Sequence, residues 1–369
     1  MNIVIFGLSI SSAWGNGHAT LLRGLFRALQ EQGHSIDFFE RDTPYYAAHR
    51  DVTSLPYARL HLYSDWNRNL AAAKAALECA DIGMVTSYCP DGIAAAALVL
   101  DAKLPRTIFY DMDAPVTLSR LARGEAVPYI PPEGLGDFDL VLSYTGGRAL
   151  DELRTKLNAR RAATLYGWVD PAVHHRVDCC AKFAADLSYL GTYSADRQSA
   201  LDNLLIEPAR LLQSRTFIIA GAMYPNPQSW PENCRHLEHV APPDHATFYS
   251  SSPLTLSVTR GDMAAMGYCP SGRLFEAAAC GTAVLSDFWE GLDTFFEPGS
   301  QILIASNSSE AIAAITKDRA SLDEIGARAR ERVLDCHTAE IRARRFIELA
   351  QNPSDEYHEL RELCVSDGH

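Results

Sequence analysis

The chain is short of positive charge. Among its 369 residues, 33 are lysine or arginine and 46 are aspartate or glutamate, so the formal net charge at pH 7 is −13. A nucleic-acid partner requires a basic surface, and an anionic membrane surface makes a similar demand. The composition therefore predicts neither nucleic acid nor a membrane surface as the partner.

Long apolar runs and paired cysteines are also missing. The apolar run at residues 93–100 is far too short to cross a bilayer, and residues 1–6 carry no basic leader. The nine cysteines contain no C-x-x-C pair, and only Cys179 and Cys180 are adjacent. This pattern favours reduced, mostly buried thiols. We expect no signal peptide, no transmembrane segment and a cytoplasmic location.

Several active-site motifs are absent as well. The chain has no strict G-x-G-x-x-G fingerprint, no Walker glycine loop and no G-x-S-x-G elbow. The residues therefore do not support NAD binding, P-loop chemistry or a serine hydrolase. The histidines of the segment 236–239 would point to opposite faces of a strand, and His174 and His175 are expected to be solvated in a linker.

What the chain does contain is an alternation of short apolar strands and periodic helices. Residues 2–7 are apolar and end in Gly7, and a glycine-containing loop, a helix at 19–32 and a strand at 35–39 follow. The same opening recurs with a strand at 187–191 and a helix at 195–212. This order predicts two doubly wound, Rossmann-like α/β domains. We place them at 1–172, with a last strand near 165–170, and at 184–335, followed by a helix at 336–352 and a loose tail at 353–369.

One stretch, residues 270–287, combines a turn, a short helix and a buried strand. Ser271 is a good N-cap, Gly281 suits a left-handed helix end, and 283–285 is apolar. A helix N-terminus with small residues can bind phosphate, and Arg273 adds a cation there. One turn later, Glu276 offers a carboxylate for a pair of sugar hydroxyls. The alternative is an ordinary helix–strand unit of an α/β sheet.

At this stretch the sequence resembles a known family. FEAAACGTAVLSDFWEGLDTFFEPG is similar to the nucleotide-binding half of GT-B glycosyltransferases. Together with SISSAWGNGHAT, YDMDAPVTL, SYTGG, SYLGTYSADRQ and PSGRLFEAAACGT, it resembles the spore-maturation CgeB-like family of predicted glycosyltransferases, over nearly the whole chain to about Glu348. The resemblance implies a GT-B architecture, with two Rossmann-like domains facing a central cleft and a C-terminal helix that can cross back to the first domain.

The resemblance assigns the second domain to a nucleotide-sugar donor. The expected donor-binding residues are Gly191, Thr192, Tyr193, Arg197, Arg260, Ser271, Gly272, Arg273 and Glu276. Two positions depart from the broad retaining pattern: Thr192 replaces an arginine, and Tyr268 stands where a glutamate contacts the donor sugar. A retaining mechanism is therefore not carried over. Arg197 and Glu276 could instead be solvated helix residues.

The first domain is then expected to hold the acceptor and the catalytic groups. The acceptor-side residues are Trp14, Gly15, Asn16, Gly17, Thr145 and Gly146, and the catalytic candidates are His18, Asp111 and Asp113. A histidine at a helix N-terminus favours the neutral imidazole, which can accept a proton. Alternatively, His18 caps the helix or packs against Trp14, and one carboxylate caps the helix near Pro115. The D-x-D pair alone predicts no metal site.

These expectations define a metal-independent glycosyltransferase without a cofactor. Its substrates are a nucleotide diphosphate sugar, with UDP or dTDP favoured, and an unidentified acceptor. The alternatives are a nucleotide-sugar epimerase or hydrolase of the same fold, or a catalytically silent nucleotide-sugar-binding protein. The residues predict neither the outcome at the anomeric carbon nor the oligomeric state.

Overall fold

The computed structural model describes residues 1–352, so the predicted loose tail at 353–369 lies outside the described residues. The chain divides into two compact units. The N-terminal unit contains residues 1–166 and the described residues from 339 onward, and the C-terminal unit contains residues 167–338.

The N-terminal unit is built on a parallel sheet of seven strands. Its strands are β1 (Asn2–Gly7), β2 (Ser35–Arg41), β3 (Arg59–Tyr63), β4 (Ile82–Thr86), β5 (Arg106–Asp111), β6 (Leu140–Ser143) and β7 (Ala162–Thr164). Its helices are α1 (Gly17–Glu31), α2 (Pro44–Ala47), α3 (Trp66–Leu77), α4 (Gly92–Asp101), α5 (Ala114–Ala122) and α6 (Arg148–Leu157). The strand order is β3-β2-β1-β4-β5-β6-β7, so the order reverses between β1 and β4. Open α/β sheets bind ligands at the carboxyl ends of strands at such a reversal.

The C-terminal unit repeats this plan with a parallel sheet of six strands. The strands are β8 (Leu187–Leu190), β9 (Phe217–Ala220), β10 (Cys234–Leu237), β11 (Leu254–Ser257), β12 (Ala283–Ser286) and β13 (Leu303–Ile304). The helices are α7 (Ala195–Leu201), α8 (Glu207–Leu211), α9 (His245–Ser250), α10 (Gly261–Met266), α11 (Gly272–Ala279), α12 (Ser308–Ile315) and α13 (Arg319–Cys336). The order β10-β9-β8-β11-β12-β13 reverses between β8 and β11. A core that includes Phe217, Leu254 and Leu285 fills the space between sheet and helices.

The last described helix, α14 (Ala339–Gln351), belongs to the N-terminal unit and packs on α1. Arg342 is buried in this helix and donates a hydrogen bond from Nε to the carbonyl of Tyr166 at 3.0 Å. At the far end, Arg106 Nε donates to the carbonyl of Ala350 at 2.7 Å. These two hydrogen bonds attach both ends of α14 to the N-terminal unit. A helix that crosses back to the first unit requires such contacts.

The predicted class, two doubly wound α/β sheets, is confirmed. Two details are wrong. The last strand of the first unit is Ala162–Thr164, ahead of the predicted 165–170, and the predicted helix 195–212 is interrupted by a π-helical turn at Asp202–Ile206. Within residues 1–352, no helix has both the length and the apolar character needed to cross a membrane.

Candidate functional site

The loop after β1 carries the predicted acceptor-side residues and is ordered by Asn16. This buried side chain caps α1: its Oδ1 accepts from the backbone N–H of His18 at 3.2 Å, and its Nδ2 donates to the carbonyl of Ser9 at 3.0 Å. Gly15, at φ +59°, and Gly17 are exposed beside it. Trp14 stacks on His49, with ring centroids 4.4 Å apart.

Glu40, at the end of β2, fixes the start of the same loop. This carboxylate is fully buried and accepts from the hydroxyls of Ser9 and Ser11, at 2.9 and 2.6 Å. It also accepts from the backbone N–H groups of Ile10 and Ser11, at 2.7 and 2.9 Å. Removal of this carboxylate would leave four buried donors unsatisfied.

His18 and the two predicted aspartates come together at the carboxyl ends of β1 and β5. His18 Nε2 lies 3.4 Å from Asp113 Oδ2, and both side chains are about one-sixth exposed, at 15% and 17%. The backbone N–H of Asp113 donates to Asp111 Oδ1 at 3.0 Å. Asp113 occupies the N-cap position of α5 but makes no side-chain capping bond, so its carboxylate is available to His18.

Asp111 is the buried member of this group. Its side chain is 0% exposed, and no hydrogen-bond partner for Oδ2 exists among the described residues. Burial, the largest influence, raises the pKa of Asp111 from its ordinary value of 3.8 to about 6. This carboxyl group can therefore hold a proton close to neutral pH.

Thr145 and Gly146 lie at the carboxyl end of β6, next to β5 in the sheet. Thr145 is buried, and its N–H donates to Ser143 Oγ at 3.1 Å. A Cβ at Gly146 would lie 2.0 Å from the hydroxyl of Tyr166, so only glycine fits there. The preceding residue, Tyr144, donates its N–H to the Asp111 carbonyl at 2.9 Å, so the chain that leads into Thr145 is bonded to the end of β5.

In the C-terminal unit, the turn that follows β8 lies close to aromatic side chains and to an arginine. A Cβ at Gly191 would lie 2.8 Å from the Tyr189 hydroxyl and 2.9 Å from Arg273 Nη2. The Gly191 carbonyl accepts from the Tyr224 hydroxyl at 3.0 Å, and the ring of Tyr193 lies 5.6 Å from that of Tyr224. The glycine lets the chain turn tightly between these aromatic groups and the arginine.

Two predicted donor-site cations meet at this turn. Arg273, in the first turn of α11, donates from Nε to the carbonyl of Leu190 and lies over the ring of Tyr189 at 5.3 Å. Arg197 donates to the carbonyl of Thr192, while its buried Nε has no partner among the described residues. The pKa of Arg197 is lowered by burial and, to a lesser extent, by the nearby Arg273 charge. An anion at this position would relieve the repulsion between the two cations.

Other predicted donor-site residues lie at helix starts. Ser271 occupies the N-cap position of α11, just before Gly272, but its hydroxyl accepts from Arg273 Nη1 at 3.3 Å and does not cap the helix. Arg260 precedes α10 and is 39% exposed, with Nε 3.9 Å from Asp196 Oδ2. That carboxylate also accepts from the Gly261 N–H at 2.8 Å. The structure therefore pairs Arg260 with Asp196.

Glu276 lies one turn beyond Arg273 on α11 and is half-buried. Its Oε2 accepts from the Tyr249 hydroxyl at 3.2 Å. Burial by itself raises the pKa of Glu276, but His174, His245 and Arg273 together shift this pKa below its ordinary value. Burial also lowers the pKa of His174, so this ring is uncharged at neutral pH and the Arg273 cation stabilises the carboxylate there. The surroundings favour an ionised Glu276.

Tyr268, at the position where a glutamate was expected from the resemblance, is held in a left-handed backbone conformation with φ +46°. Its N–H donates to the carbonyl of Glu290 at 2.7 Å, and its ring packs against Gly291, where a Cβ would lie 2.4 Å from the ring. The side chain packs against Gly291, and no carboxylate stands at this position.

The sequence analysis missed several residues of these sites. The expectation that His174 is solvated is wrong: it is 5% exposed and lies beside His245 and Glu276, whereas His175 is exposed. Tyr249 was not singled out either. The signal available for Glu40 was a carboxylate directly after the apolar pair Phe38 and Phe39 of β2. No comparable local signal marks His174, because helices distant in the sequence bury it.

The sequence comparisons concern the C-terminal unit most directly. Residues 197–348 match the family model described as "Glycosyl transferase-like", a range that contains Arg197, Arg260, Arg273 and Glu276. No curated protein sequence matches the chain significantly.

The chain is also similar to solved structures over nearly its whole length. Sucrose-phosphate synthase from Thermosynechococcus elongatus is 15% identical with a TM-score of 0.66, covering 95% of this chain and 98% of that one. The Anabaena protein HepE in complex with UDP-glucose is 12% identical with a TM-score of 0.63, covering 94% and 98%. An alpha-glucosyltransferase in complex with UDP-glucose and DNA containing an abasic site is 13% identical with a TM-score of 0.68, covering 95% and 100%.

At these identities the structural likeness shows the fold, which is that of the GT-B glycosyltransferases. Within this fold, residues 197–348 are the part of the chain that matches the glycosyl transferase-like family model.

Proposed function

We propose that the protein is a glycosyltransferase that moves a sugar from a nucleotide diphosphate donor to an acceptor hydroxyl. UDP is the favoured nucleotide, with dTDP next. The observation that carries the proposal is the arrangement of Arg197 and Arg273 at the Gly191 turn, with Glu276 one helical turn away. The bound UDP and UDP-glucose of the similar structures HepE and alpha-glucosyltransferase support the same choice.

In the donor site, Arg197 and Arg273 neutralise the diphosphate. Guanidinium groups bind phosphate oxygens through charge-assisted hydrogen bonds, and the N–H groups at the start of α11 add donors. The remaining predicted contacts to the donor are those of Gly191, Thr192, Tyr193, Arg260, Ser271 and Gly272. Glu276, ionised and half-buried, accepts hydrogen bonds from the ribose hydroxyls.

In the N-terminal unit, His18 is the proposed general base and Asp113 orients it. With the Nε2–H of His18 directed at Asp113, Nδ1 is left to accept the proton of the acceptor hydroxyl. The acceptor oxygen then bonds to the anomeric carbon, while the bond from that carbon to the diphosphate breaks. Asp111 holds the backbone of Asp113 in place. The acceptor is bound by residues around this group, namely Trp14, Gly15, Asn16, Gly17, Thr145 and Gly146.

The leaving diphosphate is stabilised by arginine and backbone N–H groups in this proposal, so the transfer step itself is metal-independent. Membership of the CgeB-like family, which the sequence motifs support, and a cytoplasmic location are parts of the same proposal. The cysteines do not support the location, because Cys336 is disulfide-bonded, contrary to the expectation of reduced thiols.

A thermal-shift screen with UDP, dTDP and GDP tests the donor site. A ligand that binds only the native state raises the melting temperature. We expect UDP to give the largest shift, and the absence of any shift at millimolar concentrations would contradict the proposal.

Product analysis with the matching nucleotide sugar then tests the reaction. A glycosyltransferase consumes the donor in proportion to a glycosylated acceptor. Conversion to an isomeric nucleotide sugar without acceptor would identify an epimerase, and release of free sugar would identify a hydrolase. Binding without turnover under any acceptor mixture would identify a nucleotide-sugar-binding protein.

A further inference from the structure

Three side chains of the C-terminal unit converge from separate parts of the sequence. His174 lies in the turn after residue 170, His245 begins α9, and Glu276 lies in the middle of α11. One ring nitrogen of each histidine and one carboxylate oxygen lie within 4.8 Å of one another. Two imidazoles and a carboxylate are a common ligand set for divalent transition metals.

The hydrogen bonding of the two histidines is incomplete in a way that suits metal ligands. His174 is 5% exposed, and neither of its ring nitrogens has a hydrogen-bond partner among residues 1–352. Buried polar atoms are nearly always satisfied, so a ring with two unpartnered nitrogens calls for a missing partner. Loop and helix packing hold this ring against Glu276 and not toward solvent.

His245 shows the pattern expected of a metal-bound histidine. Its Nε2 lies 3.2 Å from the carbonyl oxygen of Val240, whereas its buried Nδ1 has no partner in the described part of the chain. A histidine ligand usually donates its second ring N–H to a carbonyl or carboxylate, which fixes the tautomer and points the other nitrogen at the ion. With Nε2–H donating to Val240, Nδ1 is the free ligand atom.

We infer that His174, His245 and Glu276 form a binding site for a divalent transition-metal ion of the Zn²⁺ class. Tetrahedral zinc with bonds of about 2.0–2.1 Å separates its ligand atoms by about 3.4 Å. A bound ion would require the half-buried His245 and Glu276 side chains to move from their present spacing, within 4.8 Å, to this shorter one. Three protein ligands leave one coordination position open.

The site has a consequence for nucleotide binding that rests on the proposed function. Glu276 is the proposed ligand of the ribose hydroxyls, and a carboxylate that coordinates an ion cannot accept both of those hydrogen bonds. Bound Zn²⁺ should therefore weaken UDP binding. The metal site itself does not depend on this consequence, because it is tested in the absence of nucleotide.

Titration of the metal-free full chain with Co²⁺ tests the site, since cobalt replaces zinc and absorbs visible light according to its ligands. We expect one equivalent to bind with the visible bands of a nitrogen and oxygen ligand set, and Zn²⁺ to displace it. His174→Gln, His245→Gln and Glu276→Gln should each weaken binding by at least about tenfold. His175→Ala changes an exposed histidine next to His174 and should leave the affinity unchanged.

Three variants at separate positions keep the test decisive if one of them fails to fold, as judged by circular dichroism. Absence of cobalt binding to the wild-type chain at millimolar concentration would overturn the inference. So would thiolate-to-cobalt charge-transfer bands with unchanged affinity in the folded variants, which would place the ion on exposed cysteines such as Cys179. The competition between Zn²⁺ and UDP for Glu276 is tested separately. A UDP affinity that is identical with and without Zn²⁺ would overturn this competition but not the metal site.

Discussion

His18 Nε2 and Asp113 Oδ2 lie 3.4 Å apart, although one follows β1 and the other follows β5. The parallel sheet produces this proximity, because β4 separates β1 from β5 and the carboxyl ends of all three strands share one edge. The Asn16 cap fixes the backbone on one side, and the Asp111 carboxyl group fixes it on the other. This pair is the best-supported candidate for proton transfer in the N-terminal unit.

Removal of the imidazole is expected to reduce transfer without reducing donor binding. His18→Ala and Asp113→Asn should each lower the turnover rate, the former by about a hundredfold or more, because a general base or its orienting group is lost. Nucleotide affinity should stay unchanged, since both residues lie in the unit proposed to hold the acceptor. The transfer rate and the UDP affinity are measured in parallel. The control is His34→Ala, which changes a histidine just before β2, at the amino ends of the strands. Near wild-type transfer by both variants would show that the pair is structural.

The raised pKa of Asp111 predicts a pH-dependent loss of stability. Below about pH 4 this carboxyl is protonated in both folded and unfolded chains. As the pH rises from its ordinary pKa of 3.8 to the folded value of about 6, the unfolded state ionises first, and the folded state loses stability relative to it. The loss is complete above the folded value and amounts to roughly 3 kcal/mol.

Asp111→Asn removes that ionisation while it keeps an oxygen for the Asp113 N–H. Relative to this variant, the wild-type free energy of unfolding should fall between about pH 4 and about pH 7 in urea titrations. A difference between the two proteins that is constant with pH would show that Asp111 does not titrate in this range.

The two arginines of the proposed donor site should matter for binding of the diphosphate and not for binding of the nucleoside. Arg197→Gln and Arg273→Gln are each expected to weaken UDP binding by about tenfold or more, since each removes charge-assisted hydrogen bonds to phosphate. Uridine, which has no phosphate, should bind all proteins alike. Arg210→Gln, on the exposed surface of α8, is the matched control. Equal losses for UDP and uridine would indicate that the arginines act through the fold.

The sequence predicts the central strands and the stretch around α11 well, because strands buried on both faces are continuously apolar. The glycine at position 281 does adopt a left-handed conformation, with φ +68°. The sequence predicts the elements at the edge of a sheet poorly. Strand β3 lies at the margin of the first sheet and contains Arg59 and His61 among its five residues, so no apolar run marks it. Helix α10 was also missed, because no apolar pattern marks its six residues.

The site residues also divide into those that a local pattern marks and those that only tertiary packing brings together. Glu276 and Arg273 stand in a recognisable motif, so the sequence alone selects them. His174 is buried by elements that follow it far along the chain, and Tyr249 meets Glu276 only because α9 and α11 pack together. The interruption at Asp202–Ile206, in contrast, does have a local signal, because Pro208 follows it directly and has no backbone N–H to donate to the carbonyl four residues earlier. Tertiary packing decides the surroundings of His174 and Tyr249, and local propensity does not report it.

Calorimetric titration of UDP into the wild-type protein and Glu276→Ala tests the central claim most directly, with Glu331→Ala on the exposed face of α13 as the control. We predict saturable binding to the wild type and to Glu331→Ala. Binding to Glu276→Ala should be weaker by about 1.5–3 kcal/mol, the range for a hydrogen bond to a charged group, in a protein with unchanged circular dichroism. Absence of UDP binding to the wild type at millimolar concentration, or equal affinity in all three proteins, would contradict the assignment of the C-terminal unit as a nucleotide-sugar donor site.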